Sequence, residues 1–403
     1  GRTLPAGMSV LPDDQAKRRH DERQAPLKYA FAIAILSFAI FMVPAGRLQD
    51  SKGPRLPALI GGVLLGSAFL IEGLVLTSVG IRSPAASTAV LLLTVGLMGG
   101  AGIGFAYVCP IASLVKWFPN AKGLVSGIAV AGFGLGAFFL SSKDLPFGGG
   151  VFLARYGIAT FFLMFGAVAL VAVVVGALLL SNPPGTPPPA VAESEAKELL
   201  RRPGFYMLWA MFFSGALAGL TVIGVAKGFA GEQLVTAAGA VTPEVRQNLM
   251  EKGALAVGSL SIFNAIGRIV WGTISDRLGR TITFVIMFAF QAVMMFILPL
   301  LTTETAITLG AGLVGFNFGG NFAVFPSATA DLFGSKNLGA NYGLVFTSYG
   351  VAGVAGIYAG NTAKDLTGSY SAAFAVCGAL CLISCILSVA LHVWRARNIP
   401  AAA

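Results

Sequence analysis

The sequence predicts an all-α membrane protein, and three observations carry that prediction. Of 403 residues, 56% are hydrophobic and only 11% are charged. The apolar residues gather in about eleven runs, most near the length of roughly 20 residues that a helix needs to cross a bilayer. Glycine is abundant, with 52 residues. A soluble core has no room for so many apolar runs.

The runs fall at 28–45, 56–80, 88–114, 121–141 and 157–180, then at 204–229, 253–274, 280–301, 305–330, 337–361 and 370–394. Segment 1–27 precedes them. It is polar and basic, contains KRRHDER (Lys17–Arg23), and has no signal-peptide apolar region. Between the fifth and sixth runs lies SNPPGTPPPAVAESEAKELLRRP (181–203). Its prolines and mixed charges cannot build a packed core. It is expected to be a cytoplasmic linker between an N-terminal bundle, 28–180, and a C-terminal bundle, 204–397.

The net charge of +10 sits mostly in short loops, as orientation signals do. It does not point to a nucleic-acid partner. Cys377, Cys381 and Cys385 recur on one face of the last run. They read as small packing residues, a metal stripe being the alternative. The histidines, His20 and His392, flank the runs, which excludes a histidine relay inside the membrane. No metal or other cofactor is expected. No nucleophile stands with a base, so catalysis is not expected either.

Two segments repeat. GRLQDSKGPR (46–55) follows the first run, and GTISDRLGR (272–280) follows the second run of the other half. Both read G-x-x-x-D-x-x-G. Each offers a glycine for close helix approach, an aspartate near a helix end, a glycine turn and trailing cations. One copy is an ordinary charged loop; two at matching places indicate an internal repeat. Asp50, Arg55, Asp276 and Arg280 are expected to hold that side closed. Lysine and arginine favour the same side, which should be cytoplasmic. If the halves are equivalent, the first is one run short. Segment 1–27 is then expected to be an external loop after a missing first helix, a true eleven-span chain being the alternative.

The central run is SLSIFNAIGRIVWGTISDRLGR (259–280). It holds one full charge, Arg268, among isoleucine, valine and tryptophan. A bare arginine deep in a bilayer costs between about 3 and 15 kcal/mol. Such a residue faces a protein interior or a watery cavity, where an anion can pair with it, or it snorkels to the interface. Asn264 lies one turn earlier on the same face, which favours the cavity.

These motifs, with GAGIGFAYVCP (100–110), KWFPNAKGLVSGIAVAGFGLG (116–136) and VFPSATADLFGSKNLGANYGLVFTSYGVAG (324–353), resemble the major facilitator superfamily. Within it the chain is similar to the oxalate/formate antiporter-like and monocarboxylate transporter-like branch, over nearly all of 28–397. The resemblance implies two six-helix bundles around a central cavity, working by alternating access on a small organic anion. It implies that Arg268 pairs with a substrate carboxylate. It also implies that Tyr107, Phe318, Phe322 and Phe346 line the cavity; without it these aromatics read equally well as helix packing. Gly127, Gly132, Gly134 and Gly136 read as small-residue faces that let helices touch and slide.

Two departures narrow the expectation. Oxalate carriers that resemble this chain place a lysine where Tyr349 stands. Animal-type proton symporters place an aspartate where Asn264 stands. Glu72 is the one acid well inside a run that could replace that proton acceptor; an interfacial glutamate is the alternative. Lys227, near the outer end of its run, is either an anion attractor at the mouth or a snorkelling lysine. The expected function is secondary transport of small organic monocarboxylates such as formate or lactate, with Asn264, Tyr107 and Tyr349 as hydrogen-bonding neighbours of Arg268. Proton symport and anion exchange both stay open. The expected setting is a multi-pass position in a bacterial inner membrane, acting as a monomer. The alternatives are an oxalate or dicarboxylate exchanger and a non-transporting sensor on the same fold.

Overall fold

The computed structural model describes residues 13–78, 84–141, 148–185 and 198–398. Among them there is no strand, and eleven helices are long and apolar enough to cross a membrane. The first half comprises α1 (Asp13–Lys52), α2 (Arg55–Ser78), α3 (Pro84–Leu91), a π-helical stretch (Leu92–Gly99), α4 (Gly100–Trp117), α5 (Lys122–Ser141) and α6 (Gly149–Leu179). The second comprises α7 (Pro203–Ala238), α8 (Pro243–Lys252), α9 (Ala254–Leu278), α10 (Arg280–Ile297), α11 (Glu304–Phe333), α12 (Leu338–Thr367) and α13 (Ser371–Asn398). α3, the π stretch and α4 form one span.

Three elements differ from the sequence reading. α1 begins at Asp13, so the described part of segment 1–27 is helix and not loop. Lysine, arginine, glutamate, glutamine and alanine dominate there, and all are good helix formers. α8 was not expected. Thr242 caps it by accepting from the Val245 amide, and Pro243 supplies a preset first turn. α6 starts at Gly149 and is broken at Gly157 (φ 77°, ψ 169°), where the fifth apolar run begins. Most of the central linker, 186–197, lies outside the described residues.

The halves meet along two seams, α1 against α12 and α5 against α9. Both repeat glycines serve them. A Cβ on Gly46 would overlap the Gly339 carbonyl, and one on Gly272 would overlap the Gly123 carbonyl. Gly127 and Gly134 sit on the backbone of Arg268 and Ala265 in the same way, whereas Gly132 and Gly136 face open space. Of the four glycines read as a small-residue face, only Gly127 and Gly134 make the close approach. Exposed side chains such as Leu93, Val168 and Ile386 give the outer faces the apolar character that contact with lipid requires.

Candidate functional site

Between the halves lies a cavity of about 300 Å³. Its wall is mostly apolar, with Phe38, Phe69, Phe133, Phe318 and Phe322 prominent. Ser261, Asn264, Arg268 and Tyr349 supply its polar groups. Arg268 is the one charged residue among the described lining residues. Along α9 the cavity runs from Arg268 back to Val257, away from Asp276 and the repeat loops. Gly219 on α7 makes room for the Phe318 ring, since a Cβ there would overlap it.

Arg268 is 2% exposed. Its Nε donates to Asn264 Oδ1 at 2.9 Å, which realises the one-turn spacing. Its Nη1 donates to the Val130 carbonyl on α5 at 2.9 Å, across the seam. The guanidinium lies 4.4 Å from the Phe322 ring centroid and 5.8 Å from that of Phe133. These contacts hold the planar fork in one orientation. These two bonds use two of the five guanidinium N–H donors, so the oriented, desolvated cation keeps donor capacity for a carboxylate in the cavity.

The expected site residues separate into two layers. Phe318, Phe322, Tyr349, Asn264 and Arg268 all line the cavity. Tyr107 and Phe346 do not; they pack beneath it. Phe346 lies at ring-centroid distances of 4.7 Å from Phe38 and 4.8 Å from Tyr349. Tyr107 packs on Phe38 at 5.1 Å and Phe133 at 5.7 Å. Its buried hydroxyl lies beside the Arg268 guanidinium, outside strict hydrogen-bond geometry. These aromatics form a floor that seals the cavity toward the repeat loops.

Beyond the floor, ion pairs and helix caps join the halves. Asp50 accepts from the Gly339 and Ala340 amides in the first turn of α12, at 3.2 and 2.8 Å. Lys116 lies 3.4 Å from it. Asp276 accepts from the Gly123 and Leu124 amides in the first turn of α5, at 2.9 and 2.8 Å. Arg280 pairs with Asp276 at 2.9 Å and with Asp331 at 2.8 Å, while Lys122 reaches Asp331 from the other half at 2.7 Å. Each aspartate thus satisfies orphan amides and meets the positive end of a helix dipole.

Arg55, expected beside them, does something else. Its Nε donates to the Leu180 carbonyl at 2.8 Å, tying α2 to the end of α6 within one half. Lys227 is exposed and does not line the cavity. Glu72 is buried at the α2–π interface and accepts from Thr94. Sequence reasoning missed Asp331, Val130 and Phe133. Asp331 carried a signal. It begins a D-x-x-G ending at Gly334, as Asp50 does with Gly53 and Asp276 with Gly279. All three glycines take positive φ, of 86°, 85° and 83°. Val130 contributes a backbone carbonyl, which no side-chain pattern announces.

Comparison with known proteins agrees with this architecture. The family model for the Major Facilitator Superfamily matches residues 19–242 and again 234–401. The chain is 32% identical to the uncharacterized MFS-type transporter YhjX of Escherichia coli, over 83% of this chain and 78% of that protein. It is 27% identical to the oxalate:formate antiporter of Oxalobacter formigenes, over 82% of this chain and 74% of that protein. The solved structure of the transporter FucP in the outward conformation superposes with a TM-score of 0.65 at 14% identity, covering 95% of this chain and 91% of that one.

Proposed function

The chain belongs to the Major Facilitator Superfamily, and from that premise we propose that it is a secondary carrier of small organic monocarboxylates such as formate or lactate. The observation that carries this reading is Arg268, a single oriented cation at the closed end of an apolar cavity between two helical halves. One fixed positive charge suits one carboxylate, and the phenyl rings suit the rest of a small organic acid. The sealed floor and the reciprocal caps on one side, with the cavity reaching toward the other, suit one state of an alternating-access cycle. The cavity forms within one chain, in keeping with a monomer as the working unit. The setting we propose is a bacterial plasma membrane.

Similarity to an oxalate:formate antiporter favours a second reading, exchange of a dianion. Against it stands the lining of the cavity, where Tyr349 and not a second cation faces Arg268's side of the space. Uptake of labelled formate, lactate and oxalate into proteoliposomes, with and without a pH gradient, tests both. Saturable uptake of a monocarboxylate that oxalate fails to displace is expected. Uptake of oxalate alone would overturn the monocarboxylate reading, and uptake of none of the three would overturn both.

A further inference from the structure

α9 holds α5 by its backbone at two places one turn apart. Arg268 Nη1 donates to the Val130 carbonyl, and Ser261 Oγ donates to the Gly134 carbonyl at 2.7 Å. The Phe138 amide donates to the same Oγ at 3.0 Å. Gly134 C=O and Phe138 N–H are the two ends of one α5 rung, since an α-helix joins each N–H to the carbonyl four residues back. The Ser261 hydroxyl therefore bridges a rung of the opposite half. The direction of both bonds is fixed, because an amide N–H only donates and a carbonyl only accepts.

Helical hydroxyls elsewhere in the chain behave differently. Ser214, Ser327, Thr329 and Ser388 each donate to the carbonyl four residues back in their own helix. Backbone pairing does not require the bridge either. Without the hydroxyl, the Phe138 amide and the Gly134 carbonyl can bond each other, and α5 keeps no orphan at this rung. Ser261 for its part has the Val257 carbonyl four residues back on α9. The link can thus be withdrawn with every group paired again.

The other seam has no counterpart. Counting back from the repeat aspartates, α1 carries Ile35, Phe38 and Met42 where α9 carries Ser261, Asn264 and Arg268. The glycine contacts run in the same register. Gly343 sits on Met42 as Gly127 sits on Arg268, and Gly350 sits on Ala39 as Gly134 sits on Ala265. At this level the α1–α12 seam is apolar, whereas the α5–α9 seam is hydrogen-bonded. Ser261 and Arg268, two turns apart, both line the cavity. Ser261 has no proton left for a carboxylate, so it is not a second anchor for substrate.

We propose that Ser261 is a positioning residue, a withdrawable bolt across the α5–α9 seam that holds the substrate-free carrier with its repeat end closed. A carboxylate on Arg268 draws the guanidinium toward the cavity and weakens its hold on the Val130 carbonyl. α9 then rolls on α5, the α5 rung closes, and Ser261 turns back to Val257. The bolt is a two-state element, and occupancy of Arg268 biases it. This inference rests on the carrier reading for its cycle, but not for the bolt itself.

The test uses the full chain in proteoliposomes, carrying Ser126→Cys on α5, a buried position, and reads its labelling rate from the repeat end. Without substrate, Ser261→Ala should label about fivefold faster than the parent, the worth of one net hydrogen bond. Ser261→Thr keeps the hydroxyl and should stay near the parent. Saturating lactate should speed labelling of the parent and add little to Ser261→Ala. In transport, Ser261→Ala should keep the parent's half-saturating lactate concentration, while net efflux into lactate-free buffer gains severalfold on exchange. Equal substrate-free labelling of Ser261→Ala and Ser261→Thr would overturn the proposal, as would an unchanged ratio of net efflux to exchange. Should Ser261→Ala fail to insert, Ser261→Gly takes its place in the same comparison. Absence of lactate, formate and oxalate counterflow in the parent would instead overturn the carrier reading, with substrate-free labelling still deciding the bolt.

Discussion

Asp50 and Asp276 make the same contact in opposite directions. Asp50, at the end of a helix in the first half, caps α12 of the second through Gly339 and Ala340. Asp276, at the end of a helix in the second half, caps α5 of the first through Gly123 and Leu124. The repeat read from sequence thus becomes a pair of crossed latches. Charged hydrogen bonds contribute about 1.5–3 kcal/mol each. Loss of a single latch should therefore matter.

Asp50→Asn and Asp276→Asn should each open the repeat end of the molecule. The expected shift is about tenfold in the ratio of states, or roughly 1.4 kcal/mol. A cysteine placed at Ser126, buried on α5, reports it through its rate of labelling from that end. Faster labelling in both variants is expected; unchanged labelling would reduce the aspartates to topology signals.

Gly46→Ala and Gly272→Ala should act in the same direction. Each added methyl meets a backbone carbonyl of the opposite half, which cannot rotate aside as a side chain can. Gly132→Ala is the control, since its Cβ meets nothing. The same labelling assay should rise for the first two and stay level for the third. Equal behaviour of all three would contradict the seam geometry.

Tyr349→Lys should raise the affinity for oxalate relative to lactate. Tyr349 lines the cavity with Arg268, and a second cation there would meet a second carboxylate. Two unit charges about 4 Å apart attract by roughly 4 kcal/mol at an effective dielectric near 20. Desolvation consumes part of that, and about 1.4 kcal/mol already gives tenfold. Competition of labelled lactate uptake by oxalate, before and after the change, is the measurement. Equal competition in the two proteins would remove Tyr349 from selectivity.

Much of this was legible in the sequence because membrane physics writes in long apolar runs. Arg268 was legible because a charge in such a run demands a reason, and Asn264 because helical spacing is rigid. The repeat exposed Asp50 and Asp276 through a pattern that recurs in both halves. Tyr107 and Phe346 were assigned to the cavity wall because an aromatic ring reads the same whether it lines a space or seals its floor. Arg55 followed its repeat partner by analogy, yet α6 ends beside it and supplies the Leu180 carbonyl. The π stretch left no mark, since its residues are as apolar and glycine-rich as those of an ordinary span.

Uptake of a labelled monocarboxylate by Arg268→Ala and Arg268→Lys in proteoliposomes tests the central claim most directly, with membrane insertion checked for each. Arg268→Ala should abolish uptake. Arg268→Lys should retain a tenth or less of the wild-type rate, because an ammonium cannot hold Asn264 and the Val130 carbonyl while presenting a fork to a carboxylate, a loss of about 1.4 kcal/mol or more. Wild-type uptake by Arg268→Ala would contradict the account.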